Sequence, residues 1–257
     1  MTLRIERDGA ITTVILDRPE VRNAVDRQTA DELLAAFTEF EADETARVAV
    51  LWGDNGIFCA GYDLKSLSEA TPEDLVESDG EIGPLGCSRL LLSKPVIAAV
   101  EGYAVAGGLE LALWCDMRVA AEDAAFGVFC RRWGVPLVDG GTIRLPRLIG
   151  MSRALDMILT GRPVSGQEAL DFGLANRLVP AGGTRAAAES LARDLARFPQ
   201  LCMRTDRASA YRQWDYDLAE ALRREGAEGM RPIREEAVAG AARFAGGKGR
   251  GGGFDEI

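Results

Sequence analysis

The sequence contains no histidine. That absence excludes Ser-His-Asp and Cys-His nucleophilic pairs, the usual His-bearing zinc and iron sites, and any base that depends on imidazole's near-neutral pKa. If the chain is an enzyme, its proton chemistry falls to carboxylates, Lys, Tyr, Cys, backbone dipoles or water. Cysteine is sparse and unpatterned: Cys59, Cys87, Cys115, Cys130 and Cys202 are odd in number and form no CxxC. They read as reduced thiols in a cytoplasmic protein, with no metal site expected. No apolar run is long enough to span a bilayer, since Val96–Val100 is too short, and the first residues lack a signal-peptide core, so no membrane association is expected. Basic residues are outnumbered, 30 against 40 acidic, for a net charge of -10. Such a surface is a poor match for a phosphate backbone, and nucleic acid is not an expected partner. GxGxxG, the P-loop and GxSxG are all missing, which leaves Rossmann redox chemistry and nucleotide hydrolysis without support.

What is present is a chain of 257 residues, 47% hydrophobic, enough for a sizeable core. Leu3–Arg7 and Ile11–Asp17 flank Asp8-Gly9 and predict a hairpin. Asp26 is placed to cap a helix with apolar residues Ala30, Leu33, Leu34, Phe37 and Phe40. Arg47–Trp52 and Val96–Val100 read as buried strands, and Gly107–Cys115 as a helix. Strand-then-helix order predicts an α/β core. Further on, helices are expected over Ser152–Leu159, after a capping box at Ser165-Gly-Gln-Glu168, over Thr184–Arg197 and over Met203–Arg224. The expected organisation is a single domain, with residues 1–200 as core and 201–257 as a helical cap ending in a glycine-rich tail. That tail, Gly246–Gly253, reads as solvated, although Lys248 and Arg250 could touch phosphates.

Two segments suggest chemistry. Phe58-Cys-Ala-Gly61-Tyr62-Asp63-Leu64 follows a buried strand, and Gly102-Tyr-Ala-Val-Ala-Gly107-Gly108-Leu-Glu110 follows another. In both, glycines lie between strand and helix, where backbone N–H groups have no intrahelical partner and see the positive end of the helix dipole. Two such N–H groups converging would form an oxyanion hole. Glu110 lies one turn beyond Gly107, placed to act beside a carbonyl held there. The same pattern also fits tight turns and a solvated glutamate.

These segments, with Gly140-Gly-Thr-Ile-Arg-Leu-Pro-Arg-Leu-Ile-Gly150 and Leu159-Thr-Gly-Arg-Pro through Leu178-Val179, resemble the enoyl-CoA hydratase/isomerase (crotonase) superfamily in register from Arg4 to about Pro180. The resemblance implies a crotonase-like spiral of ββα units, a homotrimer or dimer of trimers, and an acyl-CoA substrate with no separate cofactor. It places the oxyanion donors on the Tyr62 and Gly107 amides. It places CoA-binding turns on Val21, Arg22 and Ala24 and on Ala60, Asp63 and Leu64; Asp63 fits an Asx-type turn equally well. Hydration of a 2-enoyl-CoA is the reaction implied first. Isomerisation, decarboxylation, thioester hydrolysis, dehalogenation and acyl-CoA binding without turnover are the alternatives.

The hydratases resembling this chain use two glutamates. The first matches Glu110; ungapped counting puts Cys130 at the second. Cys130 reads either as a small buried residue or as a thiol whose pKa Arg131 and Arg132 lower. Asp139, in Val135-Pro-Leu-Val-Asp139-Gly140, is the candidate replacement, similar to the catalytic aspartate of dienoyl-CoA isomerases and 4-chlorobenzoyl-CoA dehalogenases but displaced by one residue. It fits equally well as the side-chain cap of the next helix. Cys130, Trp133, Leu137 and Val138 are expected to wall the acyl pocket.

Overall fold

The computed structural model describes residues 2–71, 80–249 and 254. Among these the strands are β1 (Leu3–Asp8), β2 (Ile11–Leu16), β3 (Val48–Gly53), β4 (Val96–Val100), β5 (Tyr103–Val105), β6 (Met117–Ala121), β7 (Ala125–Gly127), β8 (Val164–Ser165) and β9 (Arg177–Val179). The helices are α1 (Arg27–Ala42), α2 (Leu64–Glu69), α3 (Gly107–Trp114), α4 (Gly141–Ile149), α5 (Met151–Thr160), α6 (Gly166–Phe172), α7 (Thr184–Arg197), α8 (Gln200–Arg212), α9 (Leu218–Pro232) and α10 (Val238–Ala245). The chain divides into two compact units, Met1–Ala192 and Arg193–Ile257.

In the first unit the Asp8-Gly9 turn forms the expected hairpin, with Leu3 opposite Leu16 and Asp8 opposite Ile11. From β2 onward the six-stranded sheet β1-β2-β3-β4-β6-β9 is parallel. Its inner strands are apolar and buried nearly end to end, as a parallel sheet covered on both faces requires. A second, smaller sheet has the order β5-β7-β8. Asp26 caps α1 by accepting the Thr29 N–H at 2.9 Å. Ala30, Leu33, Phe37 and Phe40 are buried as the periodicity predicts, while Leu34 is half-buried. Phe37 meets the edge of Trp114 at 4.7 Å between ring centres.

The two sheets are filled by one repeated move. A strand of the large sheet ends, the chain turns, a short strand joins the small sheet, and a helix begins. β4, β5 and α3 do this, and so do β6, β7 and the turns leading to α4. β3 does it too, through Cys59, which bridges Ala104 of β5, before α2. Ala104 in turn pairs with Phe126 of β7. Cys59, Ala104 and Phe126 therefore form one row across three successive ββα units, and Tyr62, Gly107 and Phe129, three residues on, come out at equivalent places.

Buried polar side chains lock this arrangement. Arg118 is enclosed, and its guanidinium donates to the carbonyls of Leu174 at 2.6 Å, Cys115 at 2.8 Å and Ala112 at 3.2 Å. It satisfies the C-terminal carbonyls of α3, which have no intrahelical partner. Glu101 accepts the Gly182 N–H and the Thr184 hydroxyl, both at 2.7 Å, and fixes the start of α7. Ser165 accepts the Glu168 N–H at 3.2 Å, but the reciprocal half of the expected capping box is absent. The Glu168 carboxylate pairs with Arg162 instead, at 2.7 Å.

In the second unit the helix expected over Met203–Arg224 is two helices. α8 ends in a 3-10 turn at Gln213–Asp215, and Asp217 starts α9 by accepting the Glu220 N–H at 2.9 Å. Asp217-x-x-Glu220 carries the cap signal that splits the expected helix. Glu236 caps α8 through the Leu201 and Cys202 N–H groups, at 3.1 and 2.8 Å. Beyond α10, Gly246 and Lys248 donate to Ala242 and Arg243 carbonyls, so the start of the tail is a helix-terminating turn; Arg250–Gly253 lie outside the described residues.

Arg118→Met is expected to destabilise the protein by more than about 3 kcal/mol, because several buried carbonyls lose their donor at once. Urea denaturation followed by circular dichroism measures it; a change under about 1 kcal/mol would refute the role given to Arg118.

Candidate active site

The turn before α2 and the turn before α3 meet. Gly61 has φ +98, and a Cβ there would stand 2.8 Å from the Gly107 nitrogen; a Cβ on Gly107 would stand 3.3 Å from the Tyr62 nitrogen. Only glycine at position 61 allows that approach. The neighbouring peptide groups are already committed. Val25 donates to the Gly61 carbonyl and Asp63 donates to the Val25 carbonyl, each at 2.8 Å, and Ala106 donates to the Gly127 carbonyl at 2.8 Å. Ala106 itself takes φ +53 and ψ -124, an unusual conformation for a residue with a side chain, and this turns the Gly107 N–H out of the preceding strand. Among the described residues, no protein acceptor takes the N–H of Tyr62 or of Gly107. The sequence expectation for these two amides thus coincides with their convergence in space.

They open on a cavity of about 790 Å³ whose lining includes Tyr62, Leu85, Tyr103, Phe129, Glu110 and Asp139. Glu110 is not solvated; it is 2% exposed, at the cavity wall. Its Oε1 accepts the backbone N–H of Asp139 and of Gly141, both at 2.8 Å. Gly141 is the first residue of α4, so the Glu110 carboxylate supplies the cap for that helix from α3. A Cβ at Gly141 would come within 3.0 Å of Glu110 Oε1. Burial, and next the charge of Asp139, raise Glu110 to a pKa of about 7, against the lowering effect of the two N–H donors.

Asp139 is 3% exposed and lines the same cavity. The cap role weighed for it is corrected by the geometry. Gly140 is the N-cap of α4, with no side-chain cap bond. The Asp139 carboxylate points back, its Oδ1 accepting the Leu85 N–H at 3.1 Å and the Ser88 hydroxyl. Gly83 makes room for this, since a Cβ there would overlap Ser88 Oγ. Burial raises the Asp139 pKa while Ser88 and Leu85 lower it.

Cys130 also lines the cavity. Burial and the charge of Glu110 push its thiol above the ordinary value, and Arg131 offsets this only in part. The activation by Arg131 and Arg132 weighed above is therefore outweighed, and the neutral thiol is the relevant species. Trp133 and Val138 stand on the lining, Trp133 at 64% exposure, whereas Leu137 packs behind it, against Gly141. At the expected CoA turns, Arg22, Ala60 and Leu64 reach the cavity; Val21, Ala24 and Asp63 are not among its lining residues. Asp63 caps α2, accepting N–H groups from Lys65 and Ser66, and meets Arg18 at 3.5 Å. The two turns are joined by the Ala60 N–H to Arg22 carbonyl bond at 3.1 Å. Ser88, Leu85 and Phe129 carried no sequence signal, because each acquires its place only through long-range packing.

Gly61→Ala is expected to push the Gly107 and Tyr62 amides apart and to lower turnover about 100-fold or more, the usual cost of an oxyanion donor. Steady-state kinetics beside a melting curve check this; full activity would refute the amide pair.

Residues 6–245 match the family model described as enoyl-CoA hydratase/isomerase. An enoyl-CoA hydratase of Mycobacterium tuberculosis, EchA19, is 38% identical over 192 residues, 73% of this chain and 72% of that protein. A carnitinyl-CoA dehydratase of Proteus mirabilis is 39% identical over 197 residues, 76% and 74% respectively. The crystal structure of an enoyl-CoA hydratase from Mycobacterium tuberculosis superposes with a TM-score of 0.88 at 31% identity, covering 95% of both chains. The mixed α/β arrangement of ββα units is thus the crotonase fold, and the chain belongs to the enoyl-CoA hydratase/isomerase family.

Proposed function

We propose that this protein adds water across the double bond of 2-enoyl-CoA thioesters, using Glu110 and Asp139 as its acid and base. The observation that carries the reading is two buried carboxylates lining one cavity, together with two backbone N–H groups without protein acceptors among the described residues. The thioester oxygen accepts the Tyr62 and Gly107 N–H groups, which stabilise the enolate as negative charge moves onto that oxygen. Glu110, with one oxygen tied to backbone N–H groups and a pKa of about 7, retains a proton near neutrality and delivers it to the α-carbon. Asp139, ionised, takes a proton from the water whose oxygen bonds to the β-carbon. One water is consumed, and solvent returns the proton from Asp139 to Glu110. Two acids at the cavity favour hydration over isomerisation, which needs only one.

The substrate's CoA would lie along the Arg22–Ala60–Leu64 side of the cavity, and no further cofactor or metal is invoked. Assembly as a homotrimer or dimer of trimers fits the exposed stripe Met151, Leu155, Leu159, spaced by four residues on α5. A cytoplasmic location is part of the proposal; no helix among the described residues is long and apolar enough to cross a membrane.

Hydration of crotonyl-CoA, followed by loss of enoyl-thioester absorbance, is the test. Glu110→Gln keeps the shape and the Oε1 acceptor but no titratable proton, and is expected to lower kcat about 1000-fold. In the wild type, kcat/KM should fall as pH rises through about 7, when Glu110 loses its proton. Acyl-CoA binding without turnover of any enoyl-CoA, or an unaffected Glu110→Gln variant, would overturn the proposal.

A further inference from the structure

The two acids of the cavity are held differently. Glu110 is fixed by backbone donors alone. Asp139 is fixed by a side chain, the Ser88 hydroxyl, which is fully enclosed and stands behind the carboxylate, away from the cavity lining. Ser88 is itself fastened. Its carbonyl accepts from Arg144 of α4 at 2.7 Å, and the same guanidinium donates to the Asp139 carbonyl at 2.8 Å. Arg89, the next residue, donates to the Val138 carbonyl at 3.1 Å and to the Gly80 carbonyl. The 3-10 turn Cys87–Arg89 thus grips the Asp139 loop at two consecutive residues, Val138 through Arg89 and Asp139 through Ser88, and Leu85 just before the turn adds its own N–H to the Asp139 carboxylate.

We infer that Ser88 is a positioning residue for the reaction, holding the Asp139 carboxylate in one rotamer at the cavity edge by donating its hydroxyl proton to Oδ1. With Oδ1 occupied by Ser88 and Leu85, the second carboxylate oxygen is the one left to meet a water. Without the hydroxyl, Oδ1 keeps one weaker donor, and the side chain can rotate about its Cα–Cβ bond. The hydrogen bond also favours the ionised carboxylate. The charged and titratable groups around Asp139 are Glu110 from α3, Arg144 from α4, Arg89 and Cys87 from the 3-10 turn, and Tyr62 from the turn before α2. Burial and Glu110 oppose the Asp139 charge, while Ser88, Leu85 and the two arginines support it.

This inference rests on the proposed use of Asp139 as base, and the experiment separates the two. Ser88→Ala, Asp139→Asn and the double variant are compared by kcat/KM against pH, by the affinity for an unreactive saturated acyl-CoA, and by melting temperature. The expectation for Ser88→Ala is a kcat reduced about 10-fold, an acid limb moved up by about one pH unit, and unchanged acyl-CoA affinity. Asp139→Asn should lose the acid limb, and adding Ser88→Ala to it should reduce kcat no further, because the two act as one unit. An acid limb that stays in place in Ser88→Ala, or a full additional loss in the double variant, overturns the positioning role and leaves Asp139 as base. An Asp139→Asn variant that keeps both activity and the acid limb overturns the proposed base itself.

Discussion

The Glu110 carboxylate accepts two backbone N–H groups from the turn that begins α4, and this pair of bonds sets the rest of the cavity. Burying an ionisable carboxyl costs several kcal/mol unless donors meet it. Here the donors are the Asp139 and Gly141 amides, at the positive end of a helix. The same contact fixes α3 against α4, fills the place of a side-chain cap on α4, and delivers Asp139 to the cavity. Burial still outweighs the donors, and the nearby Asp139 charge adds to it, so Glu110 holds its proton to about pH 7. One interaction therefore serves packing, helix termination and acid strength together.

The converging Tyr62 and Gly107 amides, the proposed oxyanion donors, have a different origin. They come from repetition: Cys59, Ala104 and Phe126 pair in a row, so the residues three positions on arrive at matching turns. Gly61 and Gly107 then let two of these turns touch. The unusual Ala106 conformation is where that alignment stores strain, and the committed peptide groups on either side hold it. On the proposed mechanism a chain without histidine supports thioester chemistry, with backbone amides carrying the oxyanion and two carboxyls of different environment dividing the proton transfers.

Local signals were legible where one residue's chemistry decides the outcome. Asp8-Gly9, Asp26 and the apolar runs of β3 and β4 gave strand and helix positions directly. Tyr62, Gly107 and Glu110 were legible because glycines between strand and helix leave amides unpaired and the spacing to Glu110 is one turn. Asp139 was ambiguous in sequence, since a carboxylate before a glycine-led helix looks like a cap; the cap is Glu110, 29 residues earlier in the chain, and no local pattern reports that. Ser88 gave no signal because its partner lies 51 residues away. Leu137 failed as a lining residue because alternating exposure along the Trp133–Val138 loop depends on its fold over Gly141. The break at Gln213–Asp217 was written in Asp217-x-x-Glu220, a cap signal inside the stretch expected to be one helix.

The most direct measurement is a crystal structure with a non-hydratable acyl-CoA bound. The account predicts the thioester oxygen within hydrogen-bond distance, about 3 Å, of both the Tyr62 and Gly107 nitrogens. It also predicts Glu110 and Asp139 facing the α- and β-carbons from one side. A thioester oxygen bound elsewhere, or a β-carbon that faces Cys130 with Asp139 out of reach, would contradict it.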